Sequence, residues 1–167
     1  QMLQAADHKT YVLIWTTTPW TLPANLAVAL NPQLNYALVR VAGEQYILAE
    51  ELVPTVAEEL QWSDYSIEGR FVGSDLEGIV TRHPFVDRSS PLILGDHVTL
   101  EAGTGCVHTA PGHGLEDYQV GVRYGLDIFA PVDSKGRFTS EAGAYAEMLL
   151  SDANQVIVED MRRSGSL

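Results

Sequence analysis

Two short segments of the chain concentrate the side chains that could do chemistry. The first, residues 15–25, carries three adjacent threonines, Thr16, Thr17 and Thr18, directly before Pro19. Threonine hydroxyls, and the backbone groups that a proline leaves unpaired at the end of a strand, can bind a polar ligand. Threonines also suit strands and turns for conformational reasons. This segment therefore has both a functional and a structural interpretation.

The second segment, residues 103–118, combines four glycines with two histidines. Its glycine spacing does not match the dinucleotide-binding fingerprint, and no Gly-Lys-Ser or Gly-Lys-Thr follows, as a Walker loop would require. A phosphate cradle is therefore disfavoured. The glycines indicate tight turns or a close approach of the backbone to another group.

Two kinds of reactive site are compatible with the side chains of this second segment. His108, His113 and Asp117 could form an open catalytic zinc site, but Pro111 and Gly112 keep the histidines from lying one turn apart on a helix. We therefore expect no metal and keep a zinc hydrolase as an alternative.

Cys106 and His108 lie two residues apart and would share one face of a strand, which raises a Cys-His nucleophile. Such pairs are usually distant in sequence, and a lone cysteine is commonly buried and inert. For His108 the structural alternative is a hydrogen-bonded strand histidine. For Asp117 it is a charge at the start of a helix.

The elements that must position these residues are short strands. We predict strands at residues 10–15 (buried), 36–41, 45–49, 65–72, 92–94, 97–100 and 105–109. Gly43 lies in the turn of a predicted hairpin between the second and third of these strands. The spacing of the strands is typical of barrels and sandwiches.

Helices are predicted at residues 50–60, 115–124 and 151–163. Pro54 restricts the start of the first, Ser151 or Asp152 can cap the third, and Gly165 stops it. Because strands outnumber helices and do not alternate with them, we predict a mainly β fold with peripheral helices.

The length and composition of the chain limit the class of protein to which it can belong. The 167 residues fit one domain, and 46% hydrophobic with 19% charged residues excludes disorder. One cysteine excludes a disulfide framework. No apolar run approaches the length of a membrane span, and the N-terminus lacks the features of a signal peptide. We therefore expect a soluble, cytoplasmic protein.

The net charge is −12, from 10 basic and 22 acidic residues. Phosphate neutralisation supplies most non-specific affinity for nucleic acids, so this chain should bind them weakly unless another module delivers them.

The peptide from Thr16 to Asn25, followed by the motif from Gly103 to Tyr118, resembles the editing domain of isoleucyl-tRNA synthetase, a class I aminoacyl-tRNA synthetase. The resemblance covers nearly the whole chain. The related valyl and leucyl enzymes carry Thr-Thr-Arg-Pro where this chain has Thr17-Thr18-Pro19.

For the architecture, the resemblance implies a closed six-stranded β-barrel of the type found in the valyl-, isoleucyl- and leucyl-tRNA synthetase editing domains. It also implies that residues 1–167 are a single editing domain excised from a larger synthetase. The His-Ile-Gly-His and Lys-Met-Ser-Lys-Ser signatures of the ATP-binding core are absent. We therefore expect no cofactor here, with ATP used only in that core.

For the activity, the resemblance implies hydrolysis of mischarged valyl-tRNA(Ile) to free valine, with valyl-adenylate as a second candidate substrate. The partners would be the 3′ acceptor end of tRNA(Ile) carrying valine and the rest of the synthetase in cis, without a membrane. We expect a monomer. A non-catalytic domain that only discriminates the tRNA acceptor end is the alternative.

Residue by residue, the resemblance gives Thr16, Thr17 and Thr18 the role of holding the terminal adenosine and the reacting ester. Asn25 matches a polar residue of the same site.

Trp20 and His108 resemble the walls that set side-chain size, and Asp117 resembles the carboxylate that binds the substrate ammonium. No activated serine or cysteine is visible, so the nucleophile should be water. His108 is a candidate base.

Overall fold

A computed structural model describes residues 9–167 of the chain. Most of the N-terminal segment in which we found no signal peptide lies outside the described residues. The chain divides into two compact units. Of the described residues, the first unit contains 9–15, 29–77 and 94–107, and the second contains 16–28, 78–93 and 108–167.

The strands are β1 (Thr10–Val12), β2 (Ala27–Leu30), β3 (Asn35–Val41), β4 (Glu44–Ala49), β5 (Tyr65–Val72), β6 (Val80–Arg82), β7 (Ser89–Leu94) and β8 (Cys106–Thr109). The α-helices are α1 (Val53–Glu59), α2 (Leu115–Arg123) and α3 (Leu150–Ser164). Short 3-10 helices include Pro19–Ala24 and Glu50–Leu52. No helix of residues 9–167 is long and apolar enough to cross a bilayer.

The expectation of a closed six-stranded barrel is wrong. Over residues 9–167 the strands form two open four-stranded sheets, ordered β1-β4-β3-β5 and β6-β7-β2-β8. The first sheet is mixed, because β1 runs parallel to β4 while β3 pairs antiparallel with both β4 and β5. Strand spacing along a sequence indicates how many strands there are, but closure depends on which edges pair and with what stagger.

The β3–β4 hairpin is confirmed, and its turn has a definite geometry. Ala42 and Gly43 both have positive φ, at 49° and 85°. Two consecutive positive φ angles are the signature of the two-residue turn whose twist matches that of paired strands.

Two strand predictions are wrong. The stretch from Thr10 to Trp15 is not a buried strand: only Thr10–Val12 pairs, at the edge of its sheet, and Trp15 is 56% exposed. Residues 97–100 form no strand. Apolar and β-branched residues therefore marked segments with strand propensity, whereas pairing was decided by the availability of a neighbouring strand.

The three predicted helices are present. Pro54 lies in the first turn of α1, where a missing amide donor costs nothing. Gly165 ends α3 in the left-handed conformation, with φ of 75°. Capping of α3 by Ser151 or Asp152 is wrong, because the helix begins at Leu150 and both residues lie inside its first turn.

A buried tyrosine anchors the core of the first unit. Tyr36 is fully buried, and its hydroxyl accepts the Asn31 N–H at 2.9 Å and donates to the Gly105 carbonyl at 2.6 Å. Burial raises the pKa of Tyr36 well above its ordinary value, so the hydroxyl keeps its proton and remains a donor. Gly105 has φ of 76°, and a Cβ there would lie 2.4 Å from the Ala49 Cβ. This close approach to Ala49 explains why residue 105 is a glycine.

Replacing Tyr36 by Phe is expected to lower the free energy of unfolding by about 1–3 kcal/mol, because two backbone groups lose a partner inside the protein. Urea denaturation followed by circular dichroism measures the change. Tyr65→Phe is the control, since Tyr65 is 37% exposed and its change should stay below about 0.5 kcal/mol. Equal losses in both variants would contradict the anchoring role of the Tyr36 hydroxyl.

Candidate functional site

All the predicted site residues lie in the second unit. They come from two stretches that are distant in sequence: Thr16, Thr17, Thr18, Trp20 and Asn25 from one, and His108 and Asp117 from the other.

The first stretch is organised by a 3-10 helix, Pro19–Ala24. Pro19 begins this helix with its φ already near the helical value, and Pro23 lies inside it. The Thr21 N–H donates to the Thr18 carbonyl at 3.0 Å, and the Asn25 N–H donates to the Leu22 carbonyl at 2.9 Å. The helix buries residues 21–24.

The three threonines form a local turn at the surface, before this helix. The Thr18 N–H donates to the Thr16 hydroxyl at 3.1 Å, and the Thr16 and Thr18 hydroxyls are 3.4 Å apart. Thr17 and Thr18 are exposed. Their side chains are therefore accessible to a ligand, as the predicted role requires.

His108 lies in β8 with 9% of its surface exposed, and both of its ring nitrogens are hydrogen-bonded. Nε2 is 2.9 Å from the Thr21 hydroxyl, and Nδ1 is 2.7 Å from the Asn25 amide nitrogen. Burial, together with the nearby His83 and His113, lowers the pKa of His108 to about 4. The ring is therefore neutral near pH 7, and it has no free lone pair with which to remove a proton from water.

Asn25 is buried, and its amide is fully used. The amide nitrogen also donates to the Ala27 carbonyl at 2.9 Å, and the amide oxygen accepts the Ser90 hydroxyl at 2.7 Å. Asn25 therefore contacts His108 and the protein interior. A buried amide with all its hydrogen bonds made holds one orientation.

Trp20 is held at two points. Its backbone N–H donates to the side-chain oxygen of Asn154 in α3 at 2.9 Å, and its ring makes an edge-to-face contact with His113 at 5.0 Å between centroids. Among the residues that the structure describes, nothing bonds to the buried Nε2 of His113. Burial lowers the pKa of His113, and the charge of Asp117 partly opposes this shift.

Asp117 lies in the first turn of α2. One carboxylate oxygen accepts the Ala110 N–H at 2.9 Å, which ties the segment after β8 to the helix. The side chain remains partly exposed. Both the helix terminus and the bonded amide favour a negative charge at this position.

At Gly112 the backbone lies very close to another group, as the glycine content predicted. That group belongs to the protein itself. A Cβ at Gly112 would lie 2.4 Å from the Phe129 carbonyl oxygen. Gly114, by contrast, has φ of −166°, an extended conformation open to any residue.

Four residues outside the predicted set hold this site together. Thr21 and Ser90 bond to His108 and Asn25, as described above. Arg88 donates to the Pro23 and Asn25 carbonyls at 2.8 and 3.0 Å, and the His83 Nε2 lies 2.7 Å from the Leu22 carbonyl. Thr21 lies within the threonine motif and could have been found there. No local pattern marks Ser90, His83 or Arg88.

Neither alternative reactive site is favoured by the geometry. Within residues 9–167 no three His, Cys, Asp or Glu side chains converge closely enough to hold a metal ion, and both ring nitrogens of His108 bond to protein groups. The Cys106 thiol is buried and lies 3.8 Å from the Ile47 carbonyl. Burial raises the pKa of Cys106 far above its ordinary value, so the reactive thiolate does not form.

Comparison with known proteins confirms the resemblance. The family model for the editing domain of leucyl-tRNA synthetase matches residues 2–162. The isoleucine–tRNA ligase of Moorella thermoacetica is 54% identical over 156 residues, covering 93% of this chain and 17% of that protein. That of Desulfovibrio desulfuricans is 54% identical over 168 residues, covering 100% and 18%. The chain thus spans less than a fifth of these relatives.

Solved structures agree on the fold. The editing domain of the P. knowlesi cytosolic leucyl-tRNA synthetase has a TM-score of 0.72 at 13% identity, covering 95% of this chain and 83% of that one. The equivalent P. falciparum domain has a TM-score of 0.72 at 12% identity, covering 94% and 78%. The two motifs, the matched length and the shared fold together place this chain in the leucyl-tRNA synthetase editing-domain family.

Proposed function

We propose that this domain hydrolyses the ester of valyl-tRNA(Ile) and releases free valine, with valyl-adenylate as a second substrate. The observation that carries the proposal is the arrangement around Thr18. The backbone carbonyl of the exposed Thr18 accepts the Thr21 hydroxyl, and the same hydroxyl bonds to the buried neutral ring of His108. The isoleucine–tRNA ligase relatives support isoleucine-specific tRNA as the carrier.

In the proposed reaction water attacks the ester carbonyl. The Thr16, Thr17 and Thr18 hydroxyls, with the backbone amides of this turn other than the bonded Thr18 N–H, would hold the terminal adenosine and stabilise the negative charge that develops on the carbonyl oxygen. The lowered pKa and the two ring hydrogen bonds of His108 argue against general-base catalysis by this residue. Positioning of the water would therefore supply much of the rate.

The proposed discrimination is by size. One methylene changes binding by only about 1–3 kcal/mol, a limit for which isoleucyl-tRNA synthetase is the established example, so a second site that excludes isoleucine is needed. Excluding isoleucine requires a pocket whose wall side chains cannot move aside. The ring of His108 is restrained by hydrogen bonds at both nitrogens. The ring of Trp20 is restrained by its edge-to-face contact with His113, and the Trp20 backbone is bonded to Asn154.

Asp117 would bind the substrate ammonium. The Ala110 amide orients the carboxylate, and the partly exposed side chain can meet a cation from solvent. Asn25 would act on the substrate through His108, because its own amide is bonded within the protein.

The remaining parts of the proposal concern partners. A chain of net charge −12 would depend on the rest of the synthetase in cis to deliver the acceptor end of tRNA(Ile). We propose that the domain works as a monomer and without a cofactor, with ATP used only in the catalytic core.

Turnover separates hydrolysis from binding alone. The chain is expected to release valine from excess valyl-tRNA(Ile) over many cycles in the presence of EDTA. Replacing Thr16, Thr17 and Thr18 together by Ala should abolish this release with little loss of stability, since the hydroxyls of the partly buried Thr16 and of the exposed Thr17 and Thr18 stabilise by at most about 1 kcal/mol each. Binding without release of valine would favour the non-catalytic discriminator, and loss of activity in EDTA would favour the zinc hydrolase.

Shortening His108 to Ala is expected to open the proposed pocket, so that correctly charged isoleucyl-tRNA(Ile) is now hydrolysed. Deacylation of isoleucyl- and valyl-tRNA(Ile), compared with the parent, measures the change. A variant that still spares isoleucine and has lost valine cleavage would show that His108 does not set the size limit.

Asp117→Asn is expected to fold normally and to slow hydrolysis of valyl-tRNA(Ile) by roughly 30-fold or more, since an unpaired ammonium costs about 2–5 kcal/mol. The amide oxygen of Asn can still accept the Ala110 N–H. Glu116→Gln is the matched control, because Glu116 carries the same charge in the same helical turn and is exposed. Equal, mild effects from both would mean that Asp117 serves only the helix terminus.

A further inference from the structure

Four buried side chains form a continuous line of hydrogen bonds that ends at the threonine turn. It runs from Ser90 to Asn25, from Asn25 to His108, from His108 to Thr21 and from Thr21 to the Thr18 carbonyl. The four distances are 2.7, 2.7, 2.9 and 2.9 Å. We refer to these four side chains as the polar relay.

The direction of the hydrogen bonds follows from groups that can act in only one way. A backbone carbonyl only accepts, so the Asn25 atom 2.9 Å from the Ala27 carbonyl must be the amide nitrogen. The same nitrogen faces the Nδ1 of His108, and an amide nitrogen only donates. Nδ1 of His108 therefore carries no proton.

The rest of the relay is then determined. A neutral imidazole without a proton on Nδ1 has it on Nε2, which donates to the Thr21 hydroxyl. The hydroxyl proton of Thr21 is left to donate to the Thr18 carbonyl, and the Ser90 hydroxyl donates to the Asn25 amide oxygen. Every polar atom of the relay has a partner of the correct kind.

We propose that Thr21 is a positioning residue of the editing site, which couples the tautomer of His108 to the backbone of Thr18, while Ser90 orients Asn25 at the other end. The Thr18 carbonyl already accepts the Thr21 N–H at 3.0 Å, and the hydroxyl adds a second bond from the same residue. Thr18 is exposed, so this bonded carbonyl is where the buried part of the site meets the ligand-accessible part.

The kinetic test of this inference rests on the proposed function, because it measures hydrolysis of valyl-tRNA(Ile). The NMR tests do not depend on that function. The first experiment is nitrogen-15 NMR of the histidine rings in the full chain, with the His108 signals identified by their loss in His108→Ala. We expect an unprotonated Nδ1 and a protonated Nε2 at neutral pH. Protonation of Nδ1 in the parent would overturn the relay. Asn25→Asp should place a proton on Nδ1, because a carboxylate only accepts.

The second experiment compares Thr21→Val, which keeps the shape and loses the hydroxyl, with Thr21→Ser, which keeps the hydroxyl. We expect Val to lower kcat for valyl-tRNA(Ile) about tenfold, the worth of one buried hydrogen bond, with KM within about twofold. Ser should stay within about threefold of the parent kcat. Equal kcat in the two variants would overturn the positioning role.

A third readout needs no activity. Backbone amide resonances of Thr17 and Thr18 should shift in Thr21→Val and remain near their parent positions in Thr21→Ser. The absence of a shift in the Val variant would contradict the coupling. If the parent chain hydrolyses nothing while these NMR results hold, the proposed function fails and the relay stands.

Discussion

The cost of burying an imidazole is the constraint on which the second unit depends. A buried ring nitrogen without a partner costs free energy comparable to a lost hydrogen bond, and a buried charge costs more. His108 avoids both penalties by remaining neutral and bonding to Asn25 and Thr21. Three separate stretches of the chain meet in this way: one carries Thr21 and Asn25, the second carries Ser90, which bonds to Asn25, and the third carries His108 itself.

The 3-10 helix between Thr18 and Asn25 shows a related requirement. A short helix of this kind satisfies few of its own carbonyls, and the structure meets the remainder from outside. Arg88 donates to the Pro23 carbonyl and to that of Asn25, the residue directly after the helix, and His83 lies within hydrogen-bonding distance of the Leu22 carbonyl. These contacts restrain the helix that directly follows the exposed threonine turn. In the proposed function, the threonine turn attached to this helix would position the attacking water in place of a general base.

The sequence resolved local features well and non-local ones poorly. Pro54, Gly165 and the Ala42-Gly43 turn act through their own backbone angles, so their positions could be predicted from residue type alone. Closure of a barrel and burial of the first strand could not, since both depend on which strands find a partner. Residues 97–100 have strand-like composition but no strand structure.

For the site, residue types and their order were enough to identify the family and the two motifs that carry the candidate residues, because the members of each motif are close together along the chain. The contacts of Asn25 with His108, and of Thr21 and Ser90 with these two residues, emerge from the folded chain alone. The folded chain also decides that His108 holds no free lone pair. The physical reason is that the protonation and orientation of a buried polar group are set by its partners, and Ser90 and His108 lie far from Asn25 in sequence.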